Sequence, residues 1–115
     1  MSIRVELDEL ADAVAEFGET GYLMSVGGDG RPRINHVRFT AIAGELRAEV
    51  GRRTADALLA QPLVSCLWPT TDPDGMNLIV DGEATVQTAE QVTTAVIRVN
   101  WAVRHAPPTG RLAQS

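Results

Sequence analysis

The sequence predicts a mainly β protein with two short helices, its six antiparallel strands closing into a small barrel. Three observations predict it. Six segments carry strand patterning: "TGYLMSV", "RINHVRFTAIA", "LRAEVG", "LVSCLW", "MNLIVDGEATVQ" and "QVTTAVIRVNWAVRH". Only two stretches carry helical character, one ahead of the first strand and one between the third and fourth. Short turn-rich runs such as "GGDGRP" and "PTTDPDG" join the strands, so neighbours pair as hairpins. Closing six strands into a barrel removes the exposed edges an open sheet would keep.

Taken in order, Leu7, Leu10, Val14 and Phe17 recur at helical spacing, while Asp8, Glu9, Asp12 and Glu16 fill the other face. Gly18 stands where a C-cap belongs. After the first strand, "RINHVRFTAIA" alternates long enough to have two faces: Ile34, His36 and Arg38 against Arg33, Asn35, Val37 and Phe39. "GE" turns it into the third strand. In the second helix Thr54 is the expected N-cap, Asp56 falls in the first turn, Leu58 and Leu59 form the apolar face, and Pro62 stops it. Val64, Cys66 and Trp68 point one way on their strand. Gly82 predicts a bulge or bend in the next. The last segment is long enough for a helix, but Val92, Thr93, Thr94, Val96, Ile97 and Val99 are β-branched and favour a strand. Residues 1–115 form one domain, with 106–115 as a terminal tail.

Composition narrows the partners. All ten basic residues are arginine, the net charge is −5, and no basic patch with interleaved aromatics appears, which argues against nucleic acid. One cysteine, Cys66, allows no intrachain disulfide and fits a reducing compartment. The N-terminal stretch has no apolar core of a signal peptide, and no apolar run reaches membrane-span length. The expected location is cytoplasmic, with no membrane partner. A barrel this small buries little, so a homodimer is expected.

The most informative stretch is "VGRRTADALLAQP". Arg52 and Arg53 place positive charge where a helix already carries unpaired N–H groups and a partial positive charge. Either they hold a phosphate together with Thr54, or Arg52 or Arg53 simply pairs with a nearby Asp or Glu in a solvated loop. Asn35, His36 and Arg38 could hydrogen-bond a polar ligand, although a lone strand histidine is more often structural. His36 and His105 have no cysteine or carboxylate at ligand spacing, so no metal site is expected. Trp68 reads as core packing at the barrel rim or as the flat wall of a pocket. No serine has a neighbouring acid–base partner in the sequence, and no Walker or Rossmann glycine loop is present. Catalytic residues are therefore not identifiable, and an enzyme of this sequence would rely on a bound cofactor.

The order and spacing of the N-terminal helix, "YLMSVGGDGRPRINHVRF", "GELRAEVGRRTADALLAQPLVSCLWP", "NLIVDGEATV" and "AVRHAPP" resemble the FMN-binding split barrels of the pyridoxamine 5′-phosphate oxidase-like superfamily, and its short actinobacterial members most. The resemblance implies that "RINHVRF" borders the flavin ring, with Asn35, His36 and Val37 nearest and Arg38 by the ribityl chain or phosphate. The family's phosphate segment often reads Ser-Arg-Lys. Arg52, Arg53 and Thr54 match it, with the arginine kept and the lysine replaced by threonine. Asn77, five residues before Gly82, would reach the flavin across the dimer, with Trp68 near the same interface. The oxidases continue into a segment whose arginine and histidine hold pyridoxal phosphate. This sequence ends soon after "AVRHAPP", so activity on vitamin B6 is not expected. What the resemblance implies is a dimeric FMN-dependent oxidoreductase acting on a small molecule. Its alternatives are an F420-dependent reductase of the same fold and a non-enzymatic flavin or haem carrier or sensor.

Overall fold

A computed structural model describes residues 2–106. Of the expected tail only Ala106 falls within them. The elements are β1 (Ser2–Arg4), a 3₁₀ turn (Leu7–Glu9), α1 (Leu10–Phe17), β2 (Thr20–Val26), β3 (Pro32–Ile42), β4 (Glu45–Glu49), α2 (Arg52–Ala60), β5 (Leu63–Trp68), β6 (Asn77–Ala89) and β7 (Val92–His105). The expected six strands and both expected helices are present. β1 is the addition: three residues are too few to show a period, and the strand exists because its backbone pairs with residues 103–105 of β7.

Six strands run antiparallel in the order β7-β4-β3-β2-β5-β6, and β6 pairs back onto β7 to close the barrel. β1 lies outside this circuit, on β7. Two hairpins turn on pairs of left-handed residues. Ala43 and Gly44 (φ 52° and 86°) join β3 to β4, and Glu90 and Gln91 (φ 52° and 68°) join β6 to β7. Positive φ at both central residues matches the twist of the flanking strands. Glu90 and Gln91 carry none of the usual glycine or asparagine signal.

The interior is filled by alternate strand residues, among them Leu23, Phe39, Leu46, Cys66, Leu78, Val80 and Ile97, with Leu10 and Val14 from α1 and Leu58 from α2. Trp68 is 1% exposed and packs on Phe39 with ring centroids 4.7 Å apart. Gly21 makes room for it, because a Cβ there would come within 3.0 Å of the indole and 2.9 Å of the Leu67 carbonyl. The expected irregularity at Gly82 is present: the register with β7 shifts between Asp81 and Gly82. A Cβ at Gly82 would stand 2.6 Å from the Arg98 carbonyl, so only glycine lets β7 pass.

The second helix starts earlier than expected. Gly51, extended at φ −79° and ψ 174°, is the N-cap, and no side chain caps the helix. Thr54 is therefore inside the first turn rather than at the cap, and Asp56 lies beyond that turn. Tertiary burial of Thr54 outweighs its local preference for a cap position. Leu59 also departs from the expected apolar face, pointing to solvent while Ala55, Ala57 and Leu58 face the barrel. At the other end of the chain Leu7 is exposed, since the 3₁₀ turn rotates it off the buried stripe of α1.

Candidate functional site

The N-terminus of α2 is where backbone geometry and charge converge. The Ala55 N–H donates to the Gly51 carbonyl, so the N–H groups before it have no partner within the helix. Arg52 and Arg53 occupy the first two helical positions, both exposed. Arg4, Arg33, Arg38, Arg47, Arg98 and Arg104 each pair with a carboxylate. Arg52 and Arg53 have no such partner among the described residues, so the pairing alternative is not realised there. The two arginines diverge around the helix end. Arg53 lines a cleft of about 440 Å³ with Gly27, Asp29, Arg33 and Asp56. Arg52 lines another of about 500 Å³ with Glu49, Asp56 and Gln91.

Thr54 ties this helix end to β3. Its buried hydroxyl donates to Asn35 Oδ1 at 3.0 Å. A hydroxyl has one proton, so the Thr54 side chain is already committed as a donor, and only its backbone N–H is left for a ligand. Arg33, two residues before Asn35 on the same inward face, donates to Asp29 Oδ2 at 3.1 Å. Its Nε is buried without a partner. Arg33 is a further residue near this site, and its signal in the sequence is the alternation of β3, which puts it on the face of Asn35.

The remaining expected site residues do not gather in one place within the chain. His36 is on the outer face of β3, stacked on Tyr22 at 4.8 Å and 22°. Arg38 shares that face and pairs with Glu19 at 3.3 Å. Val37 points inward and packs against the core. Asn77, at the start of β6, accepts from the Thr70 backbone N–H at 2.8 Å and so holds the loop after β5. Trp68 is in the core, its faces taken by Phe39 and the Gly21 backbone. The structure thus joins Asn35 to Thr54 at the helix start that carries the two arginines, and puts His36 and Arg38 on the opposite side of β3.

Two further observations limit the chemistry. Burial, with a smaller push from Asp81, raises the Cys66 thiol to about 12, so it stays protonated and is no nucleophile at neutral pH. Among the described residues no group of three His, Cys, Asp or Glu side chains is placed to hold a metal. No described helix is long and apolar enough to cross a membrane.

No family profile matches the chain. Uncharacterised proteins of Mycobacterium bovis and Mycobacterium tuberculosis are each 36% identical over an alignment of 93 positions, with 70% of this chain and 63% of theirs covered. The chain therefore spans less than two thirds of the curated relatives it matches. Solved structures are similar across most of its length. A candidate pyridoxamine 5′-phosphate oxidase of Listeria innocua superposes with a TM-score of 0.73 at 19% identity, covering 86% of this chain and 98% of that one. An F420 reductase gives 0.67 at 19% identity, over 79% and 94%. A haem storage protein of Vibrio cholerae gives 0.65 at 14%, over 82% and 92%. Identities this low speak for architecture alone. The chain is a split β-barrel with the fold of the pyridoxamine 5′-phosphate oxidase-like proteins.

Proposed function

We propose that this chain binds FMN through its phosphate at the N-terminus of α2 and works as a homodimeric flavin-dependent oxidoreductase. The observation that carries this reading is an uncapped helix start flanked by two arginines with no carboxylate partner. In a protein of net charge −5, such a concentration of unsatisfied donors suits an anion. Backbone N–H groups of the first turn and the guanidinium groups of Arg52 and Arg53 supply charge-assisted contacts. The orphaned Nε of Arg33 lies in the wall shared with Arg53. The Asp29 and Asp56 carboxylates line that wall too, so the reading rests on the exposed arginines and the free backbone N–H groups of the helix start.

Bound flavin would supply the hydride or electron transfer. The chain's own residues bind and orient: Thr54 and Asn35 fix the helix end against β3, and the Tyr22–His36 stack offers a flat surface on the other side of that strand. Leu59, 71% exposed on α2 beside Arg52, is left open for a second copy to cover. F420 and haem also pair a flat ring with anionic groups, and similar structures include proteins named for each. The spectrum of the purified protein separates the three.

The test compares FMN with riboflavin, which lacks the phosphate. Each arginine contact contributes about 1.5–3 kcal/mol, so Arg53→Ala should weaken FMN about tenfold to a hundredfold and riboflavin far less. Equal losses for both flavins, or none for either, would put the phosphate elsewhere. Sedimentation of the FMN-loaded protein at micromolar concentration should give a dimer; a monomer that retains flavin counts against the pairing.

A further inference from the structure

The cleft beside Arg53 contains an anion of its own. Arg33 and Arg53 line it, but so do Asp29 and Asp56, within about 440 Å³. Asp29 belongs to the turn between β2 and β3, where the Gly30 N–H donates to the Gly27 carbonyl at 3.0 Å. Gly30 takes φ 75° there, and the turn brings the carboxylate back onto β3. Asp29 Oδ1 accepts from the Arg31 backbone N–H at 3.1 Å and fixes the turn. Oδ2 accepts from Arg33 Nη2, also at 3.1 Å.

That ion pair is only half made. The Nη2 and Nε–H groups of an arginine lie along one edge of the guanidinium, spaced to grip two oxygens of one anion. Asp29 fills half of this edge, because its other oxygen is taken by the turn. Arg33 Nε is left buried with no partner among the described residues. It is shut in against the turn: a Cβ at Gly27 would stand 3.4 Å from Nε and 3.3 Å from Asp29 Oδ1. The pair is also loosely held. The Arg33 side chain is 41% exposed and that of Asp29 55%, so water screens their attraction. A terminal phosphate carries more charge than a carboxylate, and its oxygens are not tied to a turn. It satisfies Nη2 and Nε together.

We propose that Asp29 is an internal competitor for the ligand's phosphate: it holds the Arg33 edge in the cofactor-free protein, and the phosphate binds by displacing it. This rests on the phosphate reading of the α2 site. Asp29 then sets specificity as well as affinity, because an anion must outcompete a tethered carboxylate. A doubly charged terminal phosphate does so more readily than chloride or a ligand carboxylate.

Asp29→Asn is the informative change. It keeps the oxygen that accepts from Arg31 and puts an amide nitrogen where Oδ2 stood, which cannot accept from Arg33. The turn stays and the competitor goes. FMN should bind about twofold to fivefold tighter, with riboflavin unchanged. That gain should vanish in an Arg33→Gln background, which separates competition for the guanidinium from repulsion through space. In the unaltered protein, the Arg33 Nε–H resonance should shift on addition of FMN and stay put with riboflavin. Weaker FMN binding by Asp29→Asn would mean that Asp29 holds Arg33 ready for the ligand, and would overturn the proposal. An unchanged affinity, or a gain that survives Arg33→Gln, would overturn it too. Failure of the underlying reading looks different. If Arg53→Ala spares FMN, the phosphate is elsewhere and both fall; if Arg53→Ala loses FMN while Asp29→Asn gains nothing, only the competition is refuted.

Discussion

The two helices are alike in what they bury and opposite in how they begin. α1 puts Leu10, Ala13 and Val14 into the core, and α2 puts Ala55, Ala57 and Leu58 there. The approach to α1 is acidic: Asp8 and Glu9 in the 3₁₀ turn and Asp12 in the first helical turn. Glu9 also accepts from the Glu6 backbone N–H at 3.2 Å. Negative charge there complements the helix dipole. Neither helix has a side-chain cap, but α2 has no acidic residue in its first turn and carries two arginines there instead. One helix start is complemented in charge by the chain itself. On the phosphate proposal, the other is left for an external anion.

If that contrast is correct, α2 must be held in place by packing and by Thr54 rather than by a cap. Thr54→Val keeps shape and burial but removes the donor to Asn35. The half-buried Asn35 oxygen then loses its partner, which should cost about 1–3 kcal/mol. Urea unfolding followed by linear extrapolation measures it. A change below about 0.5 kcal/mol would mean that water replaces the hydroxyl and that the bond does not fix the helix start.

The same contrast marks where the sequence was legible. Alternation in β3 separated Ile34, His36 and Arg38 from Arg33, Asn35, Val37 and Phe39, and the structure keeps that division. Gly82 signalled the bulge because a strand glycine marks a close backbone approach, here to Arg98. The start of α2 was misplaced because a threonine before an alanine-rich run carries the local signature of a cap. Only the tertiary bond to Asn35 shows why it lies inside the helix. Asp29 gave no signal as a site residue, since in "GGDGRP" it reads as one more turn residue. Its setting depends on Arg53 and Asp56, which come from α2, and no window of sequence contains them together. Arg52 and Arg53 were legible as an oddity, since positive charge at a helix start needs a reason. That neither has a carboxylate partner among the described residues is knowledge only the fold supplies.

The smallest expected effect is also the most direct test of the contrast between the helices. Asp12→Asn and Arg52→Gln each remove one charge from the first turn of an exposed helix end. In the protein without cofactor, at low salt, Asp12→Asn should destabilise and Arg52→Gln should stabilise, each by about 0.3–1 kcal/mol. Protein-wide charge works against both outcomes. The chain carries −5, so losing an aspartate relieves repulsion and losing an arginine adds to it. Opposite signs in the expected direction therefore isolate the local field at the helix ends. Both effects should shrink toward zero at about 1 M salt, where the screening length falls to about 3 Å. With FMN present the Arg52→Gln result should reverse, because the protein then loses ligand stabilisation in proportion to the affinity it gives up. If Arg52→Gln destabilises the cofactor-free protein as well, the arginine has a partner within the protomer in solution, and the helix start is not waiting for an anion.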